Sequence, residues 1–326
     1  MRTKRTKHLP AAIAVTALLL LTGCSAGDPT AADDTTAAVA ADPGQAADDF
    51  TKIEASTNVE PIRYQYPTTT ADRDNDQNWV DLFLPPGERV DNATPLVVLI
   101  HGGAWKSEIG ADSFVTFAQR LAERGMAVYN VEYRRVGAGG GWPTTFADVA
   151  AALDYIPNVQ RANPSVNLDD VVVAGHSAGG QLSMWAGTRH NLKDNEVGAK
   201  PKFRPSQVIS ISGPVDMVTA VEMGDKAIVG ALGGTPDDIP ERYAMVDPIQ
   251  NIDPSIPTIA INGDADRTVP AVLGQNYVAA AKKRGGRSTF VMIPGANHVS
   301  LVTPNNPQFM TVLETISRAS HSAQRR

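Results

Sequence analysis

The chain of 326 residues holds one cysteine, Cys24, so no intramolecular disulfide braces its fold. It holds no apolar run long enough for a membrane-spanning helix. The stretch from Leu9 to Leu21 is 13 residues, and roughly 20 are needed. It holds no large basic patch, and a net charge of −6 argues against a nucleic-acid partner. No internal repeat stands out after residue 60. What is present is ordinary for a globular protein, with 42% hydrophobic and 20% charged residues, enough for a sizeable core.

The charge is unevenly spread. Residues 1–23 carry Arg2, Lys4, Arg5 and Lys7 with no acid, whereas residues 24–60 carry eight acids against Lys52 alone. A basic start, a short apolar run and then small residues read as an export signal. Its end, Leu21-Thr22-Gly23-Cys24, resembles the lipobox of bacterial lipoproteins, where cleavage precedes a cysteine that is then acylated. That resemblance implies a signal peptide over 1–23, lipidation of Cys24 and a place on the outer face of the bacterial cell membrane. More than one acyl chain is needed to hold a protein stably on a bilayer. Residues 24–57 are mostly Ala, Asp, Thr, Gly and Pro, too poor in large apolar residues to offset ordering entropy, and are expected to be a flexible acidic linker.

From about residue 58 to 326, short β-branched runs alternate with helical patterns, the mark of an α/β domain with a mostly parallel sheet flanked by helices on both faces. Strands are expected at 79–87, 95–103, 126–134, 171–175, 207–213, 257–264 and 288–295. Helices are expected at 111–124, 146–156, 178–189, 270–284 and 307–319. The stretch Pro214 to Ile252, rich in Gly, Pro and Asp, interrupts the alternation and is a candidate small cap. "DRDNDQN" (Asp72 to Asn78) spaces acids as calcium loops do, but Gln77 and Phe83 stand where an EF-hand needs glycine and glutamate. It is read as a polar turn, and no metal is assigned.

"VVVAGHSAGG" ends a strand and opens a helix, with Ser177 two residues from Gly175 and from Gly179. A nucleophile elbow needs that context: the turn is strained, and side chains two positions either side would crowd it. The partners should follow in the order acid, then histidine. Of the later histidines, His190 sits on the helix that begins at the elbow and His321 in the polar terminus. His298, in "PGANHVS" after the last strand, can reach across the sheet's carboxyl edge. The acid is expected after the preceding strand, in "INGDADRTVP". Asp266, past the turn, is preferred over Asp264, read as a turn cap; Asp216 in "SGPVDM" is a third candidate. Upstream, "HGGAW" (His101 to Trp105) is a glycine-rich loop after a buried strand and can aim bare amides at a developing oxyanion. Ala178 N–H, at a helix N-terminus, would join them. His101 is read as bonding its own loop, and His176 as pointing away from the site. "RRVGAGGGWP" (Arg134 to Pro143) reads as a mobile rim or a flexible surface loop. Trp105 and Trp142 could line an acyl pocket, with core packing expected for at least one.

With "HGGAW", "GHSAG", "NGDAD…VP" and "GANH" in that order over residues 78–320, the chain resembles the α/β-hydrolase family. Its loop is most similar to carboxylesterases related to hormone-sensitive lipase and to aryl formamidases. Ala104 stands where the esterase branch usually has a third glycine. The resemblance implies Ser177 as nucleophile, His298 as base, Asp266 as acid, and the N–H groups of Gly103, Ala104 and Ala178 as the oxyanion hole. It implies a serine hydrolase acting on a small-molecule carboxylic ester through an acyl-enzyme, with no cofactor. The alternatives are an amide hydrolase with the same residues and a non-catalytic binding lipoprotein on the same scaffold. If Cys24 is the anchor, Cys24→Ser expressed in a bacterial host with lipoprotein processing moves the protein from the membrane pellet to the soluble fraction. Unchanged fractionation and no loss of acyl mass would contradict it.

Overall fold

The computed structural model describes residues 59–68, 73–106 and 108–322. The expected signal peptide, Cys24 and the linker lie outside the described residues. In chain order the elements are β1 (Ile62–Gln65), β2 (Trp79–Phe83), β3 (Thr94–Ile100), a 3-10 turn (Ala111–Phe114) running into α1 (Val115–Ala122), β4 (Ala127–Val131), α2 (Thr144–Asp154), α3 (Ile156–Ala162), β5 (Val166–His176) and α4 (Ala178–Ala186). Then come β6 (Gln207–Ile211), α5 (Met217–Glu222), α6 (Lys226–Leu232), α7 (Pro240–Val246), β7 (Thr258–Gly263), α8 (Ala271–Lys283), β8 (Ser288–Ile293) and α9 (Pro307–Ser322).

The strands form one eight-stranded sheet in the order β1-β2-β4-β3-β5-β6-β7-β8. β1, β2 and β4 pair antiparallel at one side, and every pair from β4 and β3 onward is parallel. All seven residues of β3 are buried, as a strand covered on both faces requires. Alternate side chains go to opposite faces. Leu96, Val98 and Ile100 join the core beneath α2, α4 and α8, while Val97 and Leu99 join the one beneath α1 and α9.

Several features depart from the expected elements. The helix expected over 178–189 ends at Ala186, so His190 sits in a separate 3-10 turn (Arg189–Asn191), and the strand expected at 171–175 begins at Val166. β1 has no apolar alternation, being exposed at most positions. It is held instead by Arg63, which grips Asp81 opposite it through two 2.8 Å bonds and lies 3.5 Å over the Trp79 ring. Residues 214–252 fold as three short helices, but Met217, Ile228, Leu232, Tyr243 and Val246 enter the main core rather than a separate one. The expected helix 146–156 starts earlier, at Thr144, and a second helix, α3, follows it. Residues 73–78 make a polar turn in which Asp74 accepts from the Asp76 amide and from Gln77.

The glycine run 139–141 is not loose. A Cβ on Gly140 would run into the Arg134 carbonyl, while Thr145 Oγ1 donates to that carbonyl and accepts from Gly141 N. Beneath it, Arg134 and Asp148 form a buried two-bond ion pair at 2.7 Å that ties the rim to α2. Losing one partner would strand a buried charge, so the pair fixes this loop firmly.

Candidate active site

β5 stops at His176 and α4 starts at Ala178, so Ser177 alone makes the turn. Its backbone is at φ 54°, ψ −121°, a conformation that costs a non-glycine residue on the order of 1–3 kcal/mol. The flanking glycines are there for space. A Cβ at Gly175 would strike the Gly179 carbonyl, and one at Gly179 would strike the carbonyls of Ile100 and His101. The elbow is fastened by Ser177 N donating to Ile211 O at 2.9 Å.

The loops after β7 and β8 meet beside it. Ala265 N donates to Ala296 O at 3.1 Å, and a Cβ on Gly263 would enter that same carbonyl. Asp266 Oδ1 accepts from the Thr268 and Val269 amides at 2.8 and 2.9 Å, leaving Oδ2 2.9 Å from His298 Nδ1. Burial works to raise the Asp266 carboxyl, but bonding and charge from His298, with the Val269 amide and Ser212, outweigh it and hold the carboxyl below its ordinary value. A carboxylate therefore faces Nδ1–H, and Nε2 is the ring nitrogen left to take a proton. Asp264 is exposed and caps the turn by accepting from Gly295 N at 2.7 Å. Asp216 is engaged elsewhere, capping α5 and accepting from Asn276. Of the three acids weighed, only Asp266 meets His298.

The loop after β3 completes the setting. Gly103, Ala104 and Trp105 take φ of +101°, +53° and +58° in succession. A Cβ on Gly102 would lie 3.1 Å from Ser177 Cβ, so glycine is what lets this loop close on the elbow. Among the described residues, the amides of Gly103, Ala104 and Ala178 donate to no protein acceptor. Trp105 is 2% exposed and belongs to the core; Trp142 is half-buried, 5.6 Å from Phe146 and under Arg242.

His176 does not point away from the site as expected: its Nε2 donates to the His298 carbonyl at 2.9 Å, and the two ring centres are 4.5 Å apart. The residue before the elbow thus holds the loop that carries His298. Glu132 and Tyr133, which back the glycine loop, were also missed; the signal was an acid at the end of an otherwise apolar strand.

The BD-FAE family model matches residues 80–280, a span that takes in the glycine loop, the elbow and Asp266. Among curated proteins, "Esterase LipC" of Mycobacterium tuberculosis is 27% identical over 220 residues, 63% of this chain and 52% of that protein. The chain spans about half the length of the first curated relatives it matches. Among solved structures, a truncated carbohydrate esterase from gut microbiota superposes with a TM-score of 0.69 at 20% identity, over 83% of this chain and 99% of that one. An inhibited esterase B from Lactobacillus rhamnosis superposes at 0.70 and 17%, over 86% and 93%. These likenesses are of fold, and the fold is that of α/β-hydrolases.

Burial pushes the His176 ring down from 6.5 to about 3, and the neighbouring His298 adds to the shift. In that window the unfolded chain binds a proton that the folded chain refuses, so stability falls as pH drops from 6.5 toward 3. The slope from this one group approaches about 1.4 kcal/mol per pH unit. Urea unfolding from about pH 7 down to about pH 4 checks it. The wild type is expected to lose stability more steeply than His176→Gln, and parallel profiles would contradict it.

Proposed function

The chain belongs to the BD-FAE family, and on that footing we propose that it is a serine hydrolase that cleaves carboxylic esters through an acyl-enzyme on Ser177. The observation that carries this reading is the His298–Asp266 pair at 2.9 Å, held through His176 next to the strained Ser177, against which the glycine loop with its unpaired amides closes. Ser177 Oγ attacks the ester carbonyl while His298 Nε2 takes its proton. Asp266 holds Nδ1–H and stabilises the imidazolium that forms. The amides of Gly103, Ala104 and Ala178 receive the negative oxygen, where fixed backbone dipoles need no reorganisation. Collapse of the intermediate expels the alcohol, which takes the proton from His298. Water then repeats the sequence on the acyl-enzyme.

The names of the similar proteins, an esterase and two esterase structures, support ester over amide as the bond cleaved. The substrate would be a small-molecule ester. No helix among the described residues is long and apolar enough to cross a membrane. The proposed attachment to the outer face of the membrane rests on Cys24.

A panel of p-nitrophenyl esters set against N-formyl and aminoacyl amides tests the reading. Esters are expected to turn over, and Ser177→Ala to lower kcat at least about 10⁴-fold. Asp266→Asn should lose roughly 10³–10⁴-fold, because the imidazole loses its orienting carboxylate. Asp264→Asn should stay within about twofold, since it caps a turn away from the ring. Turnover of amides alone, or an Asp264 effect larger than that of Asp266, would overturn the respective assignment.

A further inference from the structure

His101 follows the last residue of β3 and is fully buried beneath the glycine loop. Its Nδ1 lies 2.8 Å from the carbonyl oxygen of Gly102, and its Nε2 lies 3.1 Å from Oε1 of Glu132. Both partners are oxygens. A neutral imidazole has one N–H to offer, so a carbonyl and a carboxylate together leave one nitrogen with no proton for its contact. The surroundings of Glu132 keep it a carboxylate. Oε2 accepts from Ala111 N and Oε1 from Tyr133 N, each at 2.8 Å, and Arg135 Nε stands 3.8 Å from Oε1. Tyr133 lies flat on the imidazole, with ring centres 4.3 Å apart and 6° between planes, and its hydroxyl donates to the His101 carbonyl.

The Gly102 carbonyl and the Gly103 N–H belong to one peptide unit. A hydrogen bond accepted at the oxygen polarises the unit and makes its N–H a stronger donor. We infer that His101 is a buried imidazolium, paired with Glu132, that strengthens the Gly103 oxyanion donor through the Gly102–Gly103 peptide. This rests on the proposed hydrolase reading, since the donor acts only when an oxyanion forms. His101 never touches substrate; it is a positioning residue whose charge is fixed before the reaction and reaches the oxyanion across one peptide. Buried pairs are expensive unless their remaining lone pairs are satisfied, and here two amides and Arg135 satisfy the carboxylate. Gly110 makes room for it, since a Cβ there would collide with Glu132 and Arg135.

The test is nitrogen-15 NMR of the full chain with labelled histidine, His101 being assigned by the signals that His101→Gln removes. Two protonated ring nitrogens on His101 are expected in the wild type and in Ser177→Ala alike. Glu132→Gln should leave one of them bare. On a short-chain p-nitrophenyl ester the same variant should lower kcat roughly five- to twentyfold with KM within about twofold, less than the 10²–10³ that outright loss of an oxyanion donor costs. Affinity for a trifluoromethyl ketone, which forms an oxyanion reversibly, should fall by the same factor. A single protonated nitrogen in the wild type would overturn the inference, and that spectrum decides the charge even if Glu132→Gln does not fold. So would a Glu132→Gln variant that is merely less stable, with kcat and ketone affinity intact. Ester turnover that survives Ser177→Ala would instead overturn the hydrolase reading, through a different variant in the same assay.

Discussion

The close approach of three backbone segments at the elbow is the constraint on which the rest of the site depends. The end of β3, the end of β5 and the first turn of α4 meet so tightly that neither Gly175 nor Gly179 has room for a Cβ. This contact forces Ser177 alone to reverse the chain, and it does so in a conformation that costs about 1–3 kcal/mol. That strain persists because both faces of the sheet are sealed. β5 gives Val171 and Val173 to one core and Val172 and Ala174 to the other, so relaxing the elbow would slide a strand that is packed on both sides. The same contact brings the next segment in, since Gly102 can lie against Ser177 Cβ only without a side chain of its own.

From that point the parallel sheet assembles the remaining parts. The loops after β3, β5, β7 and β8 all leave at the carboxyl edge, where open α/β sheets place their ligands. Each is fastened by bonds other than the catalytic ones proposed here. The β7 and β8 loops are joined by Ala265 and Ala296, and the His298 loop is held by His176. Electrostatics divide the three histidine rings near the elbow, of which His101 and His176 are buried and His298 is partly exposed. His176 stays neutral through the physiological range. His298 has the Asp266 carboxylate on Nδ1. His101 has an acceptor on both sides and sits behind the loop rather than in front of it.

The parts legible in the sequence were those that a short spacing encodes. The elbow, the glycine loop and the order of strand ends could be read because each needs particular residues at adjacent positions. Of the two acids in that loop, the Asp266 carboxyl falls against His298 and the Asp264 carboxyl at the turn surface. What could not be read depends on contacts between distant segments. β1 has no apolar period and is recruited by a cross-strand Arg63–Asp81 pair. The glycine run 139–141 looked mobile, yet its glycines serve a tight fit over a buried ion pair. His176 looked idle because its partner is 122 residues away. Glu132 carried no signal of its own beyond being an acid in an apolar strand, and only the packed sheet places it against His101 and the Ala111 amide.

The central claim is that the strained Ser177 is the nucleophile. Paraoxon tests it most directly, because attack on phosphorus releases one p-nitrophenolate and leaves a stable phosphoryl group on the attacking oxygen. A burst of p-nitrophenolate equal to the enzyme concentration is expected, with the diethylphosphoryl mass on the peptide that contains Ser177 and none in Ser177→Ala. A burst of the same size from Ser177→Ala, or an adduct on any other residue, would contradict the account.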